Sequence, residues 1–390
     1  MIKEMKGKKK KKPVVIQVIV ALSILLIALA SGLFILYVAP EKTPQPVFEE
    51  DYLTSNKFKS IITKVDHLVY ETLYKEGVKE EDISFSKVIP KHEKKLVWDF
   101  TELTVRLNNP GLIERFETLL SKKISGLYPD VSLESEKVLS DQVIFNIRIL
   151  GCFTHRLILK FKTEKKVGPG KLPKVAFIID DIGYDTSLAR SFLNLKIPVC
   201  LSILPYAPYS MKIAVETVNK GGELLLHLPM EPKNYPEMDP GKGALMVNMD
   251  RETIQGMVKE QIEKFPGLKG VNHHMGSLFS ENYIKMKDVL DEVKKYDLYY
   301  VDSRTTDRTV AYKVAKELGV PAAEKKWFID NDLSEKALKY QMDRLLGVAR
   351  YSGSAIGIGH PHPETLKILK KYTENLNENY EVVPVSELVE

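Results

Sequence analysis

Cysteine is nearly absent from this chain, with 2 in 390 residues. Cys152 and Cys200 fall in what the pattern below reads as different domains, so no structural disulfide is expected between them. Stability must come from packed cores rather than from a cystine framework. An excess of one charge is also missing. The formal net charge is +5, but the first twelve residues, MIKEMKGKKKKK, hold seven Lys and one Glu. Removing them leaves 57 − 7 = 50 basic against 52 − 1 = 51 acidic side chains. A body this close to neutral has no basic field with which to hold nucleic acid. With 44% hydrophobic and 28% charged residues the composition is that of a folded protein, long enough for two or more domains.

One stretch lacks charge altogether. Val14 to Val38 runs 25 residues without Asp, Glu, Lys or Arg. A helix of that length crosses the ~30 Å hydrocarbon layer with some tilt. The sequence therefore predicts a basic cytoplasmic tail (1–13), a single transmembrane signal anchor (14–38) and everything beyond Pro40 outside the cytoplasm. A cleaved signal peptide is the alternative, but its apolar core spans only about 7–15 residues. Residues 39–50, Pro-rich and polar, read as a stiff spacer.

From 51 to 163 the pattern predicts a small α+β module. Apolar residues at 58, 61, 62, 65, 68 and 69 have helical spacing. Leu96 to Leu107 alternates like a strand, Pro110 opens a second helix, and three β-like stretches follow near 130–138, 142–149 and 153–162. His67, His92 and His155 are isolated there and carry no site. The charged, Gly-Pro-Gly-bearing segment 164–174 is the clearest domain boundary.

Beyond it the texture changes to apolar runs of four to six residues alternating with amphipathic stretches. That is the sign of repeated βα units. About seven such units in 175–390 predict a (β/α)7-type barrel, with an open doubly wound sheet as the competitor. The remaining five of eight histidines, all the chain has after His155, follow these short apolar runs. Carboxylates do the same, so acids and imidazoles gather at the carboxyl ends of strands, the face where parallel barrels build their chemistry.

Asp180-Asp181 closes the first run. Adjacent carboxylates repel unless a cation compensates them, after which one can bind metal and the other take a proton from water. A helix cap is the plainer reading. His227 follows Leu224–Leu226 and precedes Glu231, a supporting carboxylate or further ligand. His273 and His274 lie side by side, and His274 is expected to face the site because Gly276 and Ser277 leave room beside it. His360 can act as general acid or oxyanion binder, with His362 orienting it. Asp302 and Asp330 can support the imidazoles.

The motifs D-D-I-G (180–183), H-L-P-M-E-P (227–232), N-H-H-M-G-S (272–277), V-D-S-R-T-T (301–306), W-F-I-D-N-D (327–332) and I-G-H-P-H-P-E-T (358–365) resemble, in set and order, the divergent branch of the polysaccharide deacetylase superfamily. The resemblance covers 175–390 and implies a (β/α)7-type barrel with a divalent metal, usually zinc, at the strand ends. It further implies Asp180 as catalytic base, Asp181 and His227 as metal ligands, and His360 as the general acid. Glu231 stands where that family places a second histidine, and its Arg-x-Pro-Tyr segment is absent, so the third ligand falls to His274. The expected activity is metal-dependent deacetylation of an N-acetylated cell-envelope polysaccharide, such as a peptidoglycan-like glycan. The alternatives are a non-catalytic barrel that binds glycan or an envelope protein, with 51–163 as the protein-binding surface, and a hydrolase of another amide or ester.

Overall fold

The computed structural model describes residues 56–79, 82–93, 96–109, 111–127, 129–139, 142–161 and 172–390. Among them no helix is long and apolar enough to cross a membrane; the apolar stretch 14–38 lies outside the described residues.

The N-terminal part is an α+β layer. Helix α1 (Asn56–Lys75) precedes β1 (Ile83–Glu93) and β2 (Leu96–Leu107), then α2 (Gly111–Ser125), β3 (Val131–Leu139), β4 (Gln142–Ile149) and β5 (Cys152–Phe161). The sheet order is β1-β2-β5-β4-β3, antiparallel except for the parallel pair β2–β5. The helices and the three final strands stand close to where periodicity places them; β1 was not foreseen. Its stretch holds Pro90 and Lys87, Lys91, His92 and Glu93, which mask an alternating pattern. His67 and His92 are exposed, while His155 is buried against Asp66 at 3.0 Å.

The second part is a parallel barrel. Its strands are β6 (Lys174–Ile182), β7 (Cys200–Ile203), β8 (Leu224–Met230), β9 (Gly270–Met275), β10 (Tyr299–Asp302), the short pair β11 (Ala322–Glu324) and β12 (Trp327–Phe328), and β13 (Ser354–Gly359). Strands β6 to β10 pair in sequence order, β11 pairs β10, and β12 pairs β13, which returns to β6. Only Lys325 and Lys326 separate β11 from β12, and their amides donate to Asp302 O and Ile356 O. The two pieces are thus one strand that changes partner midway, and with it seven strands nearly close the barrel. A short β14 (Glu381–Val382) also pairs with β6.

Helices α3 (Thr186–Leu193), α4 (Ser210–Asn219), α5 (Arg251–Glu263), α6 (Tyr283–Lys294), α7 (Ala311–Leu318), α8 (Glu335–Ser352) and α9 (Pro363–Asn379) surround it. Asp185, Asp250, Asn282 and Ser334 cap four of these helices through their side chains, relieving otherwise unpaired first-turn amides. Close helix packing explains the glycines of β13: a Cβ on Gly357 would meet Leu345 Cδ2 at 2.5 Å and one on Gly359 would meet Thr365 Cγ2 at 2.9 Å.

Burial separates two apolar layers. Ala176, Ile178, Cys200, Leu225, Tyr299, Val301, Phe328, Ile356 and Ile358 pack together inside the barrel, with Val385 from the C-terminal segment. Val175, Phe177, Ile179, Leu224, Leu226, Val271, Tyr300 and Ile329 belong to the larger core under the helices. Successive residues of a strand face opposite sides, so this parity determines which polar side chains enter the barrel mouth. Both cysteines are buried.

Candidate metal centre

Following the parity to the strand ends places Asp180, His227, Asn272, His274, Asp330 and His360 on the inward side. Asp181, next in line, should point outward. It does not, because β6 slips register against β7 between Ile179 and Ile182, and Asp181 takes φ +55°. A left-handed residue in a bulge re-aims its side chain, so both carboxylates address the same imidazole. Met275 and Arg304, at or just past the ends of β9 and β10, also have positive φ, +53° and +45°. Backbone in such sparsely populated regions concentrates at functional sites.

Asp181 Oδ1 lies 3.1 Å from His227 Nε2 and 2.8 Å from His274 Nδ1. One donor atom from each of the three residues fits within a 4.8 Å span, and all three side chains are buried. Asp181 Oδ1 has no hydrogen-bond partner despite these distances. The three donor atoms thus cluster closely around the Asp181 carboxylate. A carboxylate oxygen with two imidazole nitrogens is a donor set suited to a divalent cation, so the residues present fit the expected metal.

Asn272 fixes the chemistry of this cluster. Its Nδ2 donates to Asp180 Oδ1 at 2.8 Å, and its Oδ1 accepts from Ser202 Oγ at 2.5 Å. The same Oδ1 stands 2.8 Å from His227 Nδ1. A carboxylate only accepts, so the amide orientation is determined and His227 must carry its proton on Nδ1. That leaves Nε2, the atom with which an imidazole so oriented would ligate a cation, facing Asp181 Oδ1. Asn272 lies inside a motif noted in the sequence, but its role went unread, although parity with His274 places it inward.

The electrostatics follow from burial. Desolvation would raise the Asp181 pKa, yet the neighbouring His274 and His227 hold it well below the carboxylate range. Asp180 is raised, since its burial outweighs the attraction of His227 and His360 and the Asn272 hydrogen bond. His360 is deeply buried, which works against its charge, but Asp330 raises its pKa to about 9. Asp330 Oδ1 stands 2.9 Å from His360 Nδ1, and Oδ2 accepts from the His360 amide and Thr365 Oγ1, each at 2.6 Å.

The other candidates are placed elsewhere. His273 points outward, 2.6 Å from Tyr300 OH and stacked on that ring, with burial holding its pKa down at about 3. Asp302 is outward too. It accepts from the Arg304 and Tyr312 amides and Thr309 Oγ1, and its Oδ1 is 4.0 Å from His273 Nε2. Glu231 accepts from the Val247 amide at 2.6 Å and is not among the three clustered donors. His362 begins α9 at the N-cap position, its ring 6.3 Å from that of His360.

The family described as divergent polysaccharide deacetylase matches residues 177–389, more than half of the chain. The chain belongs to the divergent polysaccharide deacetylase family. Among curated relatives in sequence, the uncharacterized protein YibQ of Escherichia coli (strain K12) is 32% identical over 216 residues, covering 55% of this chain and 67% of that protein. An uncharacterized Haemophilus influenzae protein is 30% identical over 220 residues, covering 55% of this chain and 76% of its own length. Among solved structures, an uncharacterized protein from Agrobacterium tumefaciens C58 superposes with a TM-score of 0.54 at 22% identity, over 58% of this chain and 92% of that one. That likeness speaks for the fold alone.

Proposed function

We propose that the chain is a membrane-anchored, extracytoplasmic, metal-dependent deacetylase of N-acetylated cell-envelope glycan. The observation that carries this reading is the close clustering of one donor atom each from Asp181, His227 and His274, with Asp180 and His360 at the same mouth. Membrane attachment rests on the sequence of residues 1–38 alone.

Asp181, His227 and His274 would hold the cation, and zinc suits a set of one carboxylate and two imidazoles. When bound, such an ion supplies a Lewis acid that polarises an amide carbonyl and activates water. Asp180, made more basic by burial and tethered through Asn272, is placed to accept the proton that water loses. His360, kept protonated by Asp330, is equipped to give a proton to the leaving amine. The Asn272 bridge keeps the base and the ligand His227 in fixed relation, so neither must reorganise during turnover.

The test is metal content of the full chain beside its Asp181→Ala variant, with acetate release from N-acetylated glycan measured in parallel. Stoichiometric metal lost in the variant, together with metal-dependent acetate release, supports the proposal. Tight metal binding without acetate release from any acetylated glycan overturns it in favour of a glycan-binding barrel.

A further inference from the structure

Away from the Asp181–His227–His274 cluster, a cavity lies between the N-terminal layer and the barrel, with a volume of about 640 Å³. That is within the range of about 300–1,000 Å³ usual for small-molecule sites. Its lining includes Asp66 and Tyr70 of α1, Trp98 of β2, and Ala337 and Tyr340 of α8. Phe328 also lines it, and its ring centre is 5.3 Å from that of His360. One phenyl ring therefore separates the cavity from the proposed general acid.

The lining combines aromatic surfaces with polar groups and charges of both signs. Tyr70 and Tyr340 meet edge to face at 5.4 Å, and the Asp66 carboxylate is steadied by His155 at 3.0 Å. Tyr70 is 7% exposed, and its hydroxyl has no hydrogen-bond partner among the described residues. A buried hydroxyl without a partner calls for a ligand or water to complete it. Aromatic rings beside a phenol and a carboxylate suit a pyranose, which has apolar C–H faces and a rim of hydroxyls. An aliphatic chain fits poorly, because it would strip water from Asp66 and Tyr70 and return no hydrogen bonds.

We propose that this cavity is a saccharide subsite, holding units of an N-acetylated glycan next to the unit at the Asp181–His227–His274 cluster. The inference rests on the deacetylase reading and adds to it a role for the N-terminal layer, which would select long chains over single sugars.

The experiment is calorimetric titration of the metal-loaded full chain in lipid nanodiscs with N-acetylglucosamine and with its β-1,4-linked tetramer. The tetramer is expected to bind at least tenfold more tightly. Ala337→Trp and Thr63→Trp, which add bulk to the lining from α8 and from α1, should each abolish that gain and leave metal content and monomer affinity as they were. Using both guards against one variant failing to fold. Tyr70→Phe should weaken the tetramer about threefold. Equal affinity for monomer and tetramer, a tetramer preference that both tryptophan variants leave intact, or displacement of the tetramer by a stem peptide would each overturn the subsite. Acetate release separates the two readings. Chain-length preference abolished by the tryptophan variants, with no acetate released, sinks the enzymatic reading and keeps the subsite. Acetate release without chain-length preference does the reverse.

Discussion

Asn272 shows how much one amide determines at the metal centre. Replacing it with Leu would leave Asp180 and His227 without their shared partner and free the imidazole to adopt the other tautomer. Losing an outer partner of this kind lowers metal affinity about 10–100-fold, so a chelator-competition titration of Asn272→Leu should show that drop with the barrel still folded. His360 makes a prediction about pH. Its pKa rises from the ordinary 6.5 to about 9 in the folded chain, so its contribution to stability is fully present below about 6.5 and is lost as pH rises through about 9. The raised pKa corresponds to about 3 kcal/mol. Asp330 runs the other way: although burial opposes it, His360 depresses its pKa, and its contribution is lost as pH falls through that depressed value. In Asp330→Asn the imidazole loses its counter-charge in a desolvated place. Its pKa should fall below 6.5, read by NMR titration of the ring, and the alkaline limb of acetate release should move to lower pH with it. A His360 pKa unmoved by Asp330→Asn would remove the general-acid assignment.

Among the elements, β6 and α8 carry the most consequence. The bulge in β6 brings two neighbouring carboxylates to one imidazole, whereas α8 packs against the N-terminal layer. A Cβ on Gly347 would lie 2.1 Å from Phe85 Cβ, so β1 presses directly on the helix backbone. Gly347→Val should destabilise the chain by about 1–3 kcal/mol or more, visible as a lower urea midpoint, with metal affinity held because the cluster is remote from this contact. Much of the barrel was legible: short apolar runs alternating with amphipathic stretches announced the repeated βα units, and seven strands with helices between them are what the chain forms. Strand β12 was missed, being two residues long, and so was α9, whose Pro363 start reads equally as a loop. The choice of His274 over His273 was expected from the room beside Gly276. The structure supplies a stronger physical reason, the parity that sets His274 with Leu225 and Ile178 inside and His273 with Tyr300 outside. Parity alone would have misplaced Asp181, because a register slip paired with a left-handed residue leaves no mark in composition or spacing.

At the scale of the whole molecule, the question is whether the N-terminal layer and the barrel are separable. Tyr70 and Phe85 from the layer surround Tyr340 of α8, with ring centres 5.4 Å and 5.7 Å from it. Asp99 of β2 pairs with Arg344 on the same helix. Residues 46–390 accordingly cluster as one compact unit. Cutting within 164–174, the segment the sequence reads as a boundary, would bare the Tyr340 ring and remove the Asp99 carboxylate from Arg344, exposing an aromatic patch. The fragment 172–390 should therefore unfold at lower denaturant than the same barrel within 46–390 and associate as concentration rises, whereas 46–390 should melt in one transition. Calorimetry with sedimentation analysis of both fragments checks this. Two resolved transitions in 46–390, with a fully stable monomeric 172–390, would show that the contact is incidental. It would also weaken the case for a binding cavity built across it, since a loosely held wall cannot keep Tyr70 and Asp66 in register with α8.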